Sequence, residues 1–171
     1  MNYAEWVSFV PKEIRGGVLW TVEAYRLGLF AADVAWHDVT KLMQDKRTLD
    51  LSDQLYRAVG SVSANIAEGY SRGSNKDRVR FYEYALGSAR ESRDWIYKGR
   101  HVLGNEVAVH RLRLFTQLIR LLLTMIPEQR ANRIREAQAS YTLNIAEDQL
   151  RLDKSVDRVE LAALLESIPL P

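Results

Sequence analysis

Three groups of residues in this chain have the types and spacings that chemistry requires. Asp33, His37 and Asp38 lie within reach of one another on a helical pattern, and a histidine with a carboxylate four residues earlier can ligate a metal. Further ligands would have to come from elsewhere, and His101 and His110 offer no matching spacing, so an exposed polar helix face is the better reading. Residues 69–76 are rich in glycine and serine and end in lysine, but they lack the GxxxxGK[ST] order and follow no strand, so they read as a helix-to-helix turn. No serine, histidine and carboxylate form a recognisable nucleophile motif, and the absence of cysteine removes thiolate and disulfide chemistry. These residues imply no catalytic group, no metal and no cofactor.

The third group is the arginines. Residues 72–135 carry 14 Lys or Arg against 6 Asp or Glu, whereas residues 1–71 carry 7 against 9 and residues 136–171 carry 3 against 7. A chain of formal net charge +2 therefore contains a basic middle followed by an acidic tail. Twelve of the 14 central cations are arginines, whose planar fork matches phosphate oxygens better than a lysine point charge does. Arg72, Lys76, Arg78, Arg80, Arg90, Arg93, Arg100, Arg111 and Arg113 form the candidate nucleic-acid-binding set. The competing reading is a solvated helix face, with these cations partly paired to Asp77, Glu83, Glu91, Asp94 and Glu106 at helical spacing. A third is that the acidic tail covers the basic surface and competes with a polyanion.

The elements that position these side chains follow from apolar periodicity. Trp20, Ala24, Leu27, Ala31 and Val34 share a stripe, predicting a first long helix over about residues 18–45. A second opens near Asp50 or Ser52 with Leu55, Val59, Val62 and Ile66 on one face, and Gly60 within it suggests close approach of a neighbouring backbone. Ser74 and Asp77 make a capping-box-like start for a third, in which Phe81, Ala85, Ser88, Ser92, Trp95, Gly99 and Val102 alternate in steps of four and three. Gly104 and Asn105 separate it from a fourth that runs to Pro127 with two adjacent apolar stripes. The first comprises Val107, Leu114, Leu118, Leu121 and Met125, and the second Phe115, Ile119, Leu122 and Ile126. The second stripe favours a partner subunit, the alternative being that the flanking segments cover it. A helical pattern continues to about residue 139, Ser140-Tyr141-Thr142 reads as a break, and an amphipathic helix containing Val156, Leu161, Leu164 and Ile168 closes the chain.

Asn65-Ile66-Ala67-Glu68-Gly69-Tyr70 is the most distinctive stretch. Asn65 and Glu68 lie beside an apolar stripe and need partners, for which Arg57, Arg72, Arg80 and Glu91 are candidates. Tyr70, Tyr82, Tyr84 and Trp95 have the chemistry of base-stacking platforms, although rings at helical spacing more often serve a core or interface. Together with Leu55-Tyr56-Arg57-Ala58, Arg80-Phe81, Ala85-Leu86-Gly87-Ser88 and Glu91, the segment resembles the four-helix-bundle proteins encoded in intervening sequences of bacterial 23S ribosomal RNA genes. That family in turn resembles the accessory proteins of diversity-generating retroelements, which serve a reverse transcriptase. The resemblance covers roughly residues 18–127. It implies a left-turning up-down bundle, a ring-shaped homo-oligomer with pentamers favoured, a link to RNA or to a nucleic-acid enzyme, and no catalysis. Asn65, Glu68, Gly69 and Tyr70 are its structural signature.

The expected architecture is all-α: an antiparallel up-down four-helix bundle over residues 18–127, with an N-terminal arm or short helix over 1–17 and an acidic helical extension over 128–171. The start of the chain lacks a signal-peptide pattern, and the most apolar stretch, residues 118–126, is short and interrupted by Arg120, so a cytoplasmic protein without membrane contact is expected. The functional expectation is a non-enzymatic homo-oligomeric adaptor that uses its Arg-rich surface to bind RNA, DNA or a nucleic-acid-processing enzyme such as a reverse transcriptase. The alternative is a structural or regulatory assembly module that binds no nucleic acid.

Overall fold

A computed structural model describes residues 2–137 and 156–171, of which residues 127–137 are described as backbone only. The described residues are all-helical, with seven α-helices and no strand. Helix α1 (Tyr3–Phe9) opens on a reciprocal cap in which Asn2 Oδ1 accepts from the Glu5 amide and Glu5 accepts from the Asn2 amide, both at 2.9 Å. A single turn, α2 (Lys12–Arg15), precedes a 3-10 turn over Val18–Thr21. Four long helices follow: α3 (Glu23–Leu42), α4 (Leu49–Tyr70), α5 (Asn75–Leu103) and α6 (Asn105–Ala137). Helix α7 (Arg158–Glu166) is capped by Asp157, which accepts from the Glu160 amide at 2.9 Å.

Several expected boundaries move, each for a local reason. The first long helix begins after Val22, not at Val18, because Val22 is extended and the preceding turn carries Trp20 onto Trp6, with ring centroids 6.0 Å apart. It ends at Leu42, and Asp45 then accepts from the Arg47 amide at 3.0 Å to start a 3-10 turn over Lys46–Thr48. The Ser74 cap of α5 is present, its hydroxyl accepting from the Asp77 amide at 3.1 Å. Gly104, at φ 87, makes the left-handed junction to α6 that a side chain would strain. Pro127 does not end α6: the backbone stays helical to Ala137. The expected break at Ser140-Tyr141-Thr142 lies outside the described residues.

Packing runs between chain neighbours, α3 on α4, α4 on α5 and α5 on α6, and α3 also touches α5 and α6. The predicted α4 stripe, Leu55, Val59, Val62 and Ile66, is fully buried. Each such side chain contributes about 1.5–3 kcal/mol of apolar burial. On α5 the core face is rotated slightly from the expected seam. Tyr82, Ala85, Ala89, Ser92, Ile96, Gly99 and Leu103 are buried, while Phe81, Ser88, Trp95 and Val102 lie at its edge.

Close approach occurs at glycines other than the expected one. A Cβ on Gly69 would lie 2.9 Å from Tyr82 Cε1, one on Gly28 3.2 Å from Ser63 Cβ, and one on Gly99 3.1 Å from Leu42 Cδ2, whereas Gly60 has no neighbour within 4 Å. The breadth of apolar surface on α6 is satisfied within the chain: Phe115, Ile119, Leu122 and Ile126 are buried, and α7 packs on α6 with Leu161 and Ile168 in the same core. That second stripe is thus buried within the chain, while the polar contacts of the C-terminal segment fall off it, at His110, Arg111, Arg113, Gln117 and Arg120. Among the described residues no helix is long and apolar enough to cross a membrane.

Candidate nucleic-acid interface

The basic side chains divide into three settings. At the α4–α5 turn, Arg72 pairs with Glu68 one turn earlier and lies over the Phe81 ring, 4.7 Å from its centroid. Arg78, half-buried, donates to the Arg72 carbonyl at 3.1 Å, and Lys76 is exposed. Arg80 Nε donates to Tyr84 Oη at 2.7 Å, a bond that holds its guanidinium still more firmly protonated.

Further along α5, Arg90, Arg93, Tyr97 and Arg100 fall at helical intervals of three, four and three and share one face. Arg90, Arg93, Asp94 and Tyr97 meet Leu112 of α6 around an open cleft of about 300 Å³. Arg93 reaches across to Thr116 Oγ1 at 3.4 Å, and Arg100 stacks on Tyr97 with its guanidinium carbon 4.0 Å from the ring centroid. Asp94 is engaged by Lys98 at 2.6 Å, which reduces its repulsion of an incoming anion. Two arginines beside an exposed aromatic ring are chemically suited to a phosphate with a base or sugar alongside it.

Arg111 occupies the third setting and leaves the exposed set entirely. It and Asp38 are each 1% exposed, joined by Nε to Oδ2 at 2.8 Å and Nη2 to Oδ1 at 3.0 Å. Arg111 Nη2 also donates to the Pro169 carbonyl at 2.8 Å, and Nη1 to His110 Nδ1 at 2.9 Å. Because a guanidinium has no acceptor, His110 must keep its proton on Nε2, which donates to the Leu164 carbonyl at 2.8 Å. Burial pushes Asp38 above the usual carboxylate range despite Arg111, and burial likewise holds His110 below the ordinary histidine value. Beside this node, Glu160 of α7 accepts from Gln117 at 2.5 Å and lies 3.7 Å from Arg113 and 3.9 Å from Arg120. Arg113 thus faces the C-terminal segment as well as solvent.

The two polar side chains of the signature find their partners close by in the chain. Asn65 Nδ2 donates to the Ser61 carbonyl at 2.8 Å, and Glu68 pairs with Arg72, one of its candidate partners, in the turn that follows α4. Gly69 is the residue of that segment that sets interhelical distance, and Tyr70 is exposed. Asp33 accepts from Trp6 Nε1 at 2.5 Å and Asp38 is held by Arg111, so the two carboxylates flanking His37 serve separate partners. No group of three potential ligands that could hold a metal is found among the described residues.

The sequence model of the family described as 23S rRNA-intervening sequence protein matches residues 24–124, more than half of the chain. The chain belongs to that family. Comparison with curated proteins and with solved structures gives no match. The region matched to the 23S rRNA-intervening sequence protein family contains the signature, the Arg90–Arg93 cleft and the Asp38–Arg111 pair, while α1 and α7 lie outside it.

Proposed function

We propose that this family member is a non-enzymatic, homo-oligomeric adaptor that binds nucleic acid, or a nucleic-acid-processing enzyme such as a reverse transcriptase, through the Arg-rich face of α5 and α6. The observation that carries the reading is the convergence of Arg90, Arg93 and Tyr97 on an open cleft, with Arg100 stacked beside them. Arranging α3 to α6 as an antiparallel up-down bundle fits three contacts: early α3 meets late α4 at Gly28 and Ser63, late α4 meets early α5 at Gly69 and Tyr82, and late α5 meets the end of α3 and the start of α4 at Gly99, Leu42 and Leu51. In such a bundle the long α5 offers phosphates a straight row of cations. The resemblance to accessory proteins of diversity-generating retroelements supports a reverse transcriptase as the enzyme partner.

Self-assembly is supported on a different face. Trp36 of α3 and Tyr56 of α4 are 59% and 42% exposed and touch edge to face at 5.9 Å. Gly60 and Ala64 continue that exposed row on α4, where a second copy would meet almost bare backbone. This surface also favours the alternative, an assembly module with no nucleic-acid role.

Binding of a structured RNA, titrated with salt, separates the two readings. Electrostatic binding falls with a log-log slope of roughly −0.7 to −0.9 per phosphate neutralised. Undetectable binding at low salt would leave the assembly module standing.

A further inference from the structure

We propose that the C-terminal segment carrying α7 is a proton-sensitive cover for basic residues of α6: docked, it hides Arg111 and occupies Arg113 and Arg120, and protonation of His110 releases it to let a polyanion reach them. This rests on the nucleic-acid reading above and adds its regulation.

The cover is held by a small number of polar contacts on one stretch of α6. His110 and Arg111 donate to the carbonyls of Leu164 and Pro169, each at 2.8 Å. Gln117 accepts from the Asp157 amide at 3.1 Å and donates to Glu160. Leu161 and Ile168 supply apolar burial. Arg158 adds an outer tie to Glu23 of α3 at 2.5 Å.

Two of the ties are loosely made. Glu160 spans Arg113 and Arg120 at 3.7 and 3.9 Å, and Arg120 Nε has no acceptor among the described residues. One carboxylate shared between two guanidiniums is a weaker partner than a phosphate, with its greater charge and additional oxygens. The same cations cannot serve both, so docking and polyanion binding at this site exclude each other.

His110 makes the arrangement sensitive to acid. Its second proton must go onto Nδ1, which lies 2.9 Å from Arg111 Nη1, so two donors and two cations would face each other. The charged groups that face the ring are Arg111 on α6 itself and Asp38 on α3, and α7 presents only the Leu164 carbonyl. Asp38 is already bonded through both oxygens to Arg111 and is poorly placed to receive the new charge. The ring's depressed basicity agrees with this geometry.

The chain has no cysteine, so a single thiol reports docking without background. In an Ile168→Cys variant of the full chain, alkylation is measured at each pH and divided into the rate for a free cysteine peptide. Protection should fall severalfold between about pH 7.5 and 5.5, with about tenfold the ceiling for one coupled proton on a histidine of ordinary value about 6.5 when undocked. The fall should vanish when His110→Gln is added. Protection that is constant with pH, or falls equally in the glutamine variant, overturns the cover. Hydrogen exchange of the amides of residues 157–168 in the unaltered chain gives the same reading should the cysteine weaken docking. A structured RNA at pH 7.5 should lower protection at least threefold, and Glu160→Gln should tighten RNA binding by a similar factor. RNA that binds without changing protection overturns the mutual exclusion. Absence of RNA binding alongside a His110-dependent loss of protection defeats the nucleic-acid reading and spares the proton-released tail.

Discussion

Arg111 on α6 and Asp38 on α3, 73 residues apart in the chain, meet in a bidentate ion pair withdrawn from solvent on both sides. A buried pair of this kind contributes little net stability over an apolar replacement, yet it is costly to break from one side. Its geometry fixes α3 against α6, and its spare donors hold the C-terminal segment. The pair therefore joins the family region to a part of the chain outside it.

Arg111→Leu strands a buried carboxylate and should lower unfolding free energy by about 3–5 kcal/mol in denaturant titrations followed by far-ultraviolet circular dichroism. Replacing both residues, with Asp38→Leu and Arg111→Met, should recover most of that loss. A single variant as stable as the parent would contradict the pairing.

The glycines of α4 should respond with opposite signs. Gly69→Ala drives a methyl into Tyr82 and Phe81 and should destabilise by about 1–3 kcal/mol. Gly60→Ala meets nothing in its own chain and, measured in the Trp36→Arg/Tyr56→Glu background that removes the proposed second copy, should stabilise by up to about 1 kcal/mol through helix propensity. Equal effects at the two positions would show that the packing at Gly69 is not rigid.

The helices are largely legible in the sequence because their apolar steps of three and four survive into buried faces, as Leu55 to Ile66 shows. The central ion pair leaves a signal that charge alone conceals. Continuing the stripe Leu27, Ala31, Val34 by four residues lands on Asp38, and Arg111 falls four residues after Val107 on the α6 stripe. Two opposite charges on two apolar stripes is the pattern of a buried pair. Gln117, Glu160 and the acceptors Leu164 and Pro169 leave no such mark, since two are backbone carbonyls and the others gain meaning only when α7 folds back onto α6. The true start of α3 escapes the periodicity for a similar reason: Trp20 fits the helical stripe, but its partner, Trp6, lies outside the periodic segment.

His110 should titrate below the ordinary histidine value of about 6.5 when its ring resonances are followed by NMR. Below that value the unfolded chain takes up a proton that the folded site resists, so stability is full above about pH 6.5 and declines on acidification. Asp38, pushed up by burial, has the opposite sign, and comparison with His110→Gln isolates the histidine. A pH-stability curve identical in the two proteins would contradict the assignment.

Native mass spectrometry should give a particle several times the 19.7 kDa chain mass, five times it for the favoured pentamer. Trp36→Arg with Tyr56→Glu should reduce it to the single chain while leaving helical content intact. A monomeric parent would remove self-assembly from the proposal.

Salt-titrated binding of a structured RNA by the parent and by Arg90→Glu/Arg93→Glu addresses the proposed function most directly. The parent should bind with an affinity that falls steeply with salt, and the double variant should bind at least tenfold more weakly with a shallower slope, reduced by about 0.7–0.9 for each phosphate no longer neutralised. Unchanged affinity and slope in the double variant would contradict the α5–α6 cleft as the nucleic-acid interface.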